Sequence, residues 1–278
     1  MKWGSAVSSA FTVSNGIRQG GLISPILYNV YTDSLNTQLH RAKIGCHIAG
    51  ECINHVAYAD DMVLLAPSAK ALQSLINICV EYASDHDIIY NTNKTVCMIA
   101  WPRSYRTVHP DRFMLGDSPL EFVQSFKYLG HIVSDDLKDD LDIEKQLRKF
   151  NTIGNTIIRK FNVCTEVVKY QLVKAYCSTV YCGSLWSSYN VASHRKLKVC
   201  HNNILRRLLG VPRYNSASMM FMLAGLNNLD VMLRTATYSV RNRLLQSENT
   251  IVHSIVSSHA FNNSCLNLHW YAMLQIRH

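Results

Sequence analysis

The stretch AYADDMVLLA, residues 57–66, places two adjacent carboxylates, Asp60 and Asp61, between two apolar runs. Strand-forming residues on both sides of a short polar pair predict a hairpin with the aspartates at its tight turn. With no lysine or arginine nearby in sequence, the two carboxylates repel each other, and a bound Mg²⁺ would relieve that repulsion. Aspartate is also a common turn residue, so this stretch taken alone favours an ordinary turn.

A glycine-rich loop precedes the hairpin, in the segment NGIRQGGLISPILYNVY, residues 15–31. Its glycines would let the backbone approach a ligand closely, while an arginine and a glutamine offer a charged fork and an amide. The residues concerned are Gly16, Arg18, Gln19, Gly20 and Gly21. A plain connection between a strand and a helix is the alternative interpretation of this loop.

Two helices are predicted around the hairpin. The first begins with Ser24 as N-cap and Pro25 at the first helical position, and its apolar face is formed by Leu27, Tyr31, Leu35 and Leu39. The second covers residues 68–87 and is opened by Ser68, with Leu72, Leu75, Ile76 and Cys79 on one side. The hairpin would therefore lie between two amphipathic helices along the chain.

The remaining sequence changes character near residue 140. TVCMIA (residues 95–100) predicts a short strand, and FKYLGHIVS (126–134) predicts a strand or a hairpin broken at Gly130. Beyond these, helical periodicity dominates in residues 142–161, 166–186, 193–210 and 227–246. Gly210 and Pro212 end the third of these helices. The sequence predicts an α+β part followed by a helical part.

The net charge of +9 is unevenly distributed along the chain. Residues 1–140 carry −3, residues 141–213 carry +10 and residues 214–278 carry +2. A basic middle region is typical of a surface that contacts phosphates, and a solvated helical face that binds nothing explains the charge equally well.

Composition excludes several other classes of site and protein. At 278 residues and 48% apolar content, the chain can bury one large core or two smaller ones. It has no apolar run near the roughly 20 residues of a membrane-spanning helix, and we identify no signal peptide. Nine cysteines without CxxC or zinc spacing favour reduced thiols inside a cell. Cys200 beside His201 lacks a second ligand pair, which disfavours a metal site there.

The loop and the hairpin, in this order, resemble the B and C motifs of reverse transcriptases. They are most similar to non-LTR (LINE-like) retrotransposon enzymes, in which an RQG-x-x-x-SP loop and helix precede a YADD hairpin. NTNKTVCMIA (91–100) is similar to the family's next motif, whose lysine matches Lys94, and Tyr128, Leu129 and Gly130 match the YLG core of the primer grip. STVYCGSLWSS (178–188) and NNILRRLLGVP (202–212) look like thumb helices.

The resemblance implies a fold, an activity and a set of partners. The fold would be a partial polymerase palm, residues 1–136, then a basic thumb-like region, 137–213, and an unassigned helical segment, 214–278. The activity would be RNA-directed DNA synthesis by nucleotidyl transfer with two Mg²⁺ ions, or Mn²⁺. The partners would be an RNA template, a DNA primer or RNA–DNA hybrid, and a dNTP, with the duplex backbone held by the +10 stretch. By family analogy the protein would act in the nucleus.

The same resemblance assigns roles to individual residues. Asp60 would bind the metal directly with Asp61 beside it, and Lys94 would protonate or neutralise the departing pyrophosphate. Template and incoming nucleotide would be contacted by Arg18, Gln19, Gly20, Gly21 and Tyr58, and the primer by Tyr128, Leu129 and Gly130.

One metal ligand of the family pattern has no counterpart here. The family supplies a third carboxylate from a strand upstream of the RQG loop, whereas the 15 residues before Gly16 include neither Asp nor Glu, and Asp33 follows the loop. Basic fingers and an endonuclease domain are also missing from the printed sequence. We therefore expect the isolated chain to polymerise DNA weakly or not at all, and its sheet to have an uncovered edge. A non-catalytic nucleic-acid-binding remnant and a pseudogene product are the alternatives.

Overall fold

The computed structural model describes residues 2–9, 20–100 and 112–275. The chain divides into two compact units. The first unit comprises Met1–His47, Cys52–Tyr90 and Phe113–Pro119, and the second comprises Ile48–Glu51, Asn91–Arg112 and Leu120–His278. The domain boundaries expected from the sequence stay predictions.

The strands of the described residues are short. They are β1 (Lys2–Trp3), β2 (Ala6–Val7), β3 (Cys46–Ile48), β4 (Glu51–Ile53), β5 (His55–Tyr58), β6 (Asp61–Leu64), β7 (Val96–Cys97), β8 (Met114–Leu115), β9 (Ser118–Pro119), β10 (Glu121–Phe122), β11 (Ser125–Tyr128) and β12 (His131–Ser134). Antiparallel hairpins form from β1–β2, β5–β6, β8–β9 and β11–β12, and β7 pairs with β10 in parallel.

Helices make up most of the remaining described chain. They are α1 (Ser24–Ala42), α2 (Ala69–Asp85), α3 (Asp140–Lys160), α4 (Glu166–Cys177), α5 (Val191–Leu209), α6 (Ala217–Leu223), α7 (Leu229–Leu245), α8 (Thr250–Ser257), α9 (His259–Asn262) and α10 (Cys265–Leu274), with a 3₁₀ helix at Gly183–Leu185. This mixture of helices and small sheets agrees with the predicted α+β class. None of the described helices has the length and apolar character to cross a membrane.

Helix α1 starts one residue earlier than predicted, and only its second half is buried. Ile23 occupies the N-cap position without a side-chain hydrogen bond, so Ser24 is the first helical residue and not the cap. Leu35 and Leu39 are buried as expected. Leu27 and Tyr31 are exposed, as are the neighbouring apolar residues Leu22, Ile23, Ile26 and Val30. The predicted apolar face is therefore correct only where α1 packs into the core of the first unit.

Helix α2 provides the other side of that core. Ser68 caps it as predicted, with its hydroxyl accepting from the amide of Ala71 at 3.3 Å. Leu75, Cys79 and Tyr82 pack with the buried end of α1 and with two residues of the hairpin, Met62 and Leu64. The Tyr82 hydroxyl also donates to the carbonyl of Tyr31 in α1. The two helices are thus joined by apolar contact and by a hydrogen bond.

The second unit has a helical core that continues past residue 213. Its buried members are Ile143, Phe150, Ile157, Val173, Cys177, Trp186, Leu197, Ile204, Leu205, Leu208, Met220, Phe221, Leu229, Met232 and Leu233. Trp270 in α10 donates its indole N–H to the carbonyl of Ser184 at 2.7 Å. The C-terminal helices, which the sequence left unassigned, are therefore packed onto the same core as α3 and α5.

Three of the four helices predicted after residue 140 are confirmed, and one is too long. Residues 166–186 were expected to be one helix, whereas α4 ends at Cys177 and the chain continues into the 3₁₀ helix. Cys182 adopts a left-handed backbone, with φ of 61°, that a continuous helix does not permit. Gly210 has the left-handed conformation at the end of α5 that the sequence predicted.

Helices α3 and α5 are in close contact at Gly154. A Cβ atom added there would lie 2.6 Å from Cγ1 of Ile204 and 2.9 Å from its Cδ1. Since Ile204 is buried and branched, it has little room to move aside. The glycine therefore allows a separation between the two helices that no larger residue permits.

We expect Gly154→Ala to destabilise the protein by about 1–2 kcal/mol. Alanine normally favours a helix interior over glycine by about 0.5–1 kcal/mol, but overpacking a core costs about 1–3 kcal/mol. Urea unfolding followed by circular dichroism measures the difference. In an Ile204→Ala background the clash is removed, so Gly154→Ala should there be neutral or stabilising. An equal loss of stability in both backgrounds would contradict the close-contact explanation.

Candidate functional site

The AYADDMVLLA segment forms the predicted hairpin. Tyr58 pairs with Asp61 at the end of the β5–β6 ladder, which leaves Ala59 and Asp60 as a two-residue turn. Asp60 is thus in the turn itself, and Asp61 is the first residue of β6. Both carboxylates are exposed. The sequence prediction of two aspartates at a tight hairpin turn is confirmed.

The turn is strained at one position. Ala59 has a φ of 52°, whereas Asp60 is outside the positive-φ region. A positive φ at only the first of two turn residues is the pattern of a type II′ turn, in which glycine is usual. An alanine in the left-handed region costs roughly 1–2 kcal/mol. Contacts elsewhere in the fold must offset this cost. The strained residue directly precedes the two aspartates.

The two faces of the hairpin have different surroundings. Met62 and Leu64 pack against the core that α1 and α2 share. Val56 and Tyr58, which alternate with the core-facing positions, are 44% and 65% exposed. Among the described residues β5 and β6 pair only with each other, so their outer edges carry no further strand. The hairpin is fixed from one side and open on the other.

Asn54 anchors the base of the hairpin. It is buried, and its side-chain amide donates to the carbonyl of Leu39 in α1 at 2.6 Å. Its own carbonyl accepts from the amide of Leu65 at 2.8 Å, which closes the hairpin after β6. Gly45 lies against it so closely that a Cβ there would be 2.4 Å from the Asn54 Cβ. The buried Asn54 side chain therefore ties the base of the hairpin to α1, in addition to the apolar packing of Met62 and Leu64.

The start of α1 lies within electrostatic range of the turn. Burial raises the pKa of the Tyr28 hydroxyl, and the charge of Asp60 raises it further. Tyr28, in the helix that follows the RQG segment, is therefore close enough to the YADD turn to be influenced by the charge of Asp60. Gly20 has a φ of 79°, which favours glycine, and nothing lies within 4 Å of where its Cβ would be. Gly21 accepts a hydrogen bond from the Ser24 amide. Arg18 and Gln19 lie outside the described residues.

Lys94 is exposed at a turn in the second unit. Its backbone amide donates to the carbonyl of Asn91 at 3.1 Å and to the Asn91 side chain at 3.2 Å. The β7 strand follows two residues later. This local geometry is that of a surface turn, and the proposed role of Lys94 stays a prediction.

The FKYLGHIVS segment forms the predicted hairpin, β11–β12, with Leu129 and Gly130 as its turn. Both turn residues have positive φ, 44° and 85°, as a type I′ turn requires. The Tyr181 hydroxyl donates to the Leu129 carbonyl at 2.8 Å. A Cβ on Gly130 would lie 2.6 Å from the Tyr181 ring. The turn that resembles the primer grip is therefore held by a tyrosine 52 residues later.

A buried carboxylate joins this hairpin to α3. Asp142 is fully buried and accepts hydrogen bonds from the Ile132 amide at 3.0 Å and the Trp186 indole at 2.9 Å. Lys145 forms an ion pair with it and also donates to the carbonyl of Gly130. His131 Nδ1 lies 3.3 Å from its second oxygen. The β11–β12 hairpin, helix α3 and the residue that follows the 3₁₀ helix therefore all contact the carboxylate of Asp142.

These contacts control the pKa of Asp142. Burial alone would raise the pKa, but contacts with His131, Lys145, Trp186 and the Ile132 amide outweigh burial and hold the pKa well below its usual range. Asp142 therefore stays ionised at neutral pH. The nearby Asp139 shows the opposite balance, since burial raises its pKa despite hydrogen bonds from the amides of Ser188 and Ser187.

The Cys200–His201 pair is a packing feature of the helical core. His201 is buried, with its ring stacked on Phe221 at a centroid distance of 5.2 Å. Burial lowers its pKa to about 4. Cys200 donates to the side chain of Asn151 at 3.2 Å. The residues described show no group of three or more His, Cys, Asp or Glu side chains that could hold a metal ion, at this pair or elsewhere.

The structure adds residues that the sequence patterns did not single out. Asn54, Asp142 and Tyr181 each hold a hairpin that the sequence did identify, and Tyr28 is influenced by the charge of Asp60. Asp142 carried one signal, since it is among the few acidic residues in the basic stretch 141–213. The others have no local pattern, because their partners are distant in sequence.

Comparison with known proteins identifies the class to which the site belongs. The family profile described as reverse transcriptase (RNA-dependent DNA polymerase) matches residues 3–133, which include the RQG loop, the YADD hairpin and all but the last residue of the FKYLG hairpin. This part of the chain therefore belongs to the reverse transcriptase family.

The most informative relatives are Pol polyproteins of R2 retrotransposable elements. The chain is 33% identical over 129 residues to that of the type-2 element R2DM of Drosophila melanogaster. It is 28% identical over 133 residues to one from a type-1 element R2 of Popillia japonica. Over the matched residues the chain is accordingly similar to reverse transcriptases of the non-LTR retrotransposon type. The matched regions cover 44% and 46% of this chain, but only 12% and 22% of those polyproteins.

Relief of the strained turn gives the first test of the site. We expect Ala59→Gly to stabilise the protein by about 0.5–1 kcal/mol, because the left-handed cost of roughly 1–2 kcal/mol exceeds the added entropy cost of glycine, about 0.5–1 kcal/mol. The urea midpoint measures the change. Ala57→Gly, in β5 with an ordinary backbone, is the matched control and should destabilise. A similar loss in both variants would show that Ala59 is not strained.

The buried carboxylate predicts a specific pH dependence. Because the folded pKa of Asp142 is lowered, its contribution to stability is fully present above its unfolded pKa of about 3.9 and is lost as pH falls through the folded pKa. We expect Asp142→Asn to cost about 3–5 kcal/mol at pH 7, since it leaves buried partners uncompensated. The gap between wild type and variant should then narrow below about pH 4.

Urea unfolding at pH 7, 5 and 3 measures that gap. Asp117→Asn removes one exposed carboxylate from a turn and is the control; it should leave stability nearly unchanged at all three pH values. A gap between wild type and Asp142→Asn that stays constant down to pH 3 would contradict a lowered pKa.

Proposed function

We propose that this chain is the part of a non-LTR reverse transcriptase that carries the YADD metal-binding turn and the primer-contacting hairpin. The family reaction is template-directed DNA synthesis on RNA. The observation that carries the proposal is the two-residue turn of the β5–β6 hairpin, which exposes Asp60 and Asp61. The charge of Asp60 also reaches Tyr28 in the helix that follows the RQG segment. The family match over residues 3–133 supports the same reaction.

The donor set at the turn fits a magnesium ion. Mg²⁺ is usually held by one or two carboxylates together with water and substrate phosphates, and it does not require a complete protein cage. Asp60 and Asp61 supply two such carboxylates, both accessible. When bound, the metal ions would lower the pKa of the primer 3′-hydroxyl and stabilise the leaving pyrophosphate.

The remaining residues would position the reactants. Gly20 and Gly21 would allow the backbone to approach the template base pair and the incoming dNTP, with Arg18 and Gln19 contributing polar contacts. Tyr58 is exposed next to the aspartates and offers an aromatic face at the same end of the hairpin. Leu129 and Gly130 would contact the primer on a turn that Tyr181 and Lys145 keep fixed. Lys94 would neutralise the departing pyrophosphate.

We further propose that the isolated chain binds an RNA–DNA hybrid but extends a primer weakly. Two carboxylates are one fewer than the family site uses, and the printed sequence has none before the RQG loop. The charge of +10 on residues 141–213 supports binding that does not depend on catalysis. A non-catalytic nucleic-acid-binding role is therefore the second candidate function, and a nuclear location is part of the same proposal.

Primer extension and metal binding together test the proposal. We expect weak extension of a DNA primer on an RNA template with Mg²⁺ or Mn²⁺, and its loss in Asp60→Asn, because that variant removes the direct metal ligand. Binding of the hybrid, measured by fluorescence anisotropy, should change less than about twofold, since phosphate contacts by basic residues dominate affinity. Mn²⁺ binding followed by electron paramagnetic resonance should weaken in the same variant.

The control is Asp33→Asn, in α1 and outside the hairpin. It should leave extension and Mn²⁺ binding unchanged. Efficient extension by the 278-residue chain would overturn the expected weakness of the isolated fragment. Mn²⁺ binding that is equal in wild type and Asp60→Asn would overturn the assignment of the metal turn itself.

A further inference from the structure

The crossing of α3 and α5 creates a basic groove on the surface of the second unit. Its cations are Arg159 and Lys160 at the end of α3, Arg206 and Arg207 at the end of α5, and Arg213 just beyond it. We call this set the α3–α5 groove. It consists of two adjacent cavities of about 320 and 570 Å³, joined where Arg207 donates to the side chain of Asn155 at 3.1 Å.

The groove has no internal counter-charge. The described residues that line the two cavities include no aspartate or glutamate. The ion pairs found in the described chain belong to other cations, namely His131, Lys138, Lys145 and Lys198. Five cations without a carboxylate among their lining neighbours repel each other, and an anionic ligand would relieve that repulsion.

Neutral hydrogen-bonding groups complete the surface. Asn151, Thr152, Asn155 and Thr156 form an exposed polar stripe on α3, while Phe150 and Ile157 on the same helix face the core. Amide and hydroxyl side chains contact phosphate and sugar oxygens alongside arginine and lysine in nucleic-acid complexes. The close contact at Gly154 holds this stripe against the arginines of α5.

The length of the groove matches several phosphates. Residues 151–160 of α3 rise by about 14 Å at ~1.5 Å per residue. Each strand of a nucleic-acid helix presents one phosphate about every 3.4 Å of the helix axis, so a duplex whose axis runs along the groove would bring about four phosphates of one strand to it. Five cations suit that number, and they would contact the backbone without reading the base sequence.

We propose that the α3–α5 groove is a binding site for the phosphodiester backbone of a nucleic-acid strand. The inference deepens the proposed function, on which it rests for the choice of nucleic acid as the ligand. It assigns binding by the +10 stretch to five residues at one end of the α3–α5 crossing. The other basic residues of the stretch, including Lys174, Arg195 and Lys196, would contribute little.

Two triple variants with the same change in charge test the assignment. Arg159→Gln, Arg207→Gln and Arg213→Gln together remove three groove cations. Lys174→Gln, Arg195→Gln and Lys196→Gln together remove three exposed cations that line neither cavity, two of them on α5 itself. The probes are a fluorescein-labelled 20-base-pair RNA–DNA hybrid and a single-stranded RNA of the same length. Affinity is measured without dNTP between 50 and 200 mM salt.

We expect the groove variant to weaken binding of the hybrid about tenfold or more, and to reduce the slope of log affinity against log salt by about 3. The control variant should change the slope by less than about 1. Weakening with both probes would assign the groove to one strand, and weakening with the hybrid alone would assign it to the duplex. Circular dichroism and urea midpoints equal to wild type establish that both variants are folded.

If the two triple variants reduced affinity equally, the assignment of binding to the groove would be wrong, because affinity would then depend only on the total charge. The proposed function would remain intact. Absence of binding by the wild-type chain would overturn the groove together with the binding part of the proposed function. Because Asp60 and Asp61 are unchanged in all variants, a failure of primer extension or Mn²⁺ binding does not bear on the groove.

Discussion

In the second unit, the hydrogen bonds and the ion pair of the buried Asp142 carboxylate connect the β11–β12 hairpin to the helical core. The carboxylate receives an amide from β12, an indole from the segment before α5 and an ammonium from its own helix. Removing an anion from water is expensive unless its hydrogen-bonding capacity is satisfied, and here three different parts of the chain satisfy it. The arrangement fixes the β11–β12 hairpin to α3 and therefore to the helical core.

In the first unit, apolar packing and one buried amide hold the β5–β6 hairpin in place. The β5–β6 hairpin has no further strand beside it among the described residues, and a two-stranded hairpin alone is marginally stable. Contacts of Met62 and Leu64 with α1 and α2 hold one face, and Asn54 holds the base. The turn can therefore keep a strained alanine next to two exposed carboxylates. This combination of a rigid base and a strained tip is common at functional sites.

The sequence predicted the local elements of the fold well, for physical reasons that are visible in individual residues. The YADD and YLG turns follow from two-residue loops between strand-forming runs. Ser68 begins α2 and Gly210 ends α5 through chemistry confined to a few neighbouring residues. These signals are local, so they can be read without knowing the rest of the structure.

Long-range features could not be predicted in this way. The first turns of α1 have the same apolar spacing as its buried end, and periodicity cannot tell which part will be covered. The interruption after Cys177 depends on packing around Gly183, whose Cβ would lie 2.6 Å from Leu233. Tyr181 and Asn54 act on partners that are 52 and 15 residues away. The prediction that the Asp60–Asp61 pair belongs to a metal site rests on the RQG loop that precedes it, and not on the composition of the pair itself.

Gly130 and Tyr181, which meet at the turn of the β11–β12 hairpin, are not equally constrained in evolution. Glycine is required at position 130 for two reasons. Its φ of 85° disfavours any side chain, and the Tyr181 ring occupies the space where a Cβ atom would lie. Loss of the ring would remove only the second requirement. Tyr181 can therefore change before Gly130 in a diverging lineage, whereas the reverse order is blocked. Among related elements, sequences that retain this glycine with different residues at position 181 should be more frequent than sequences that retain the tyrosine without the glycine.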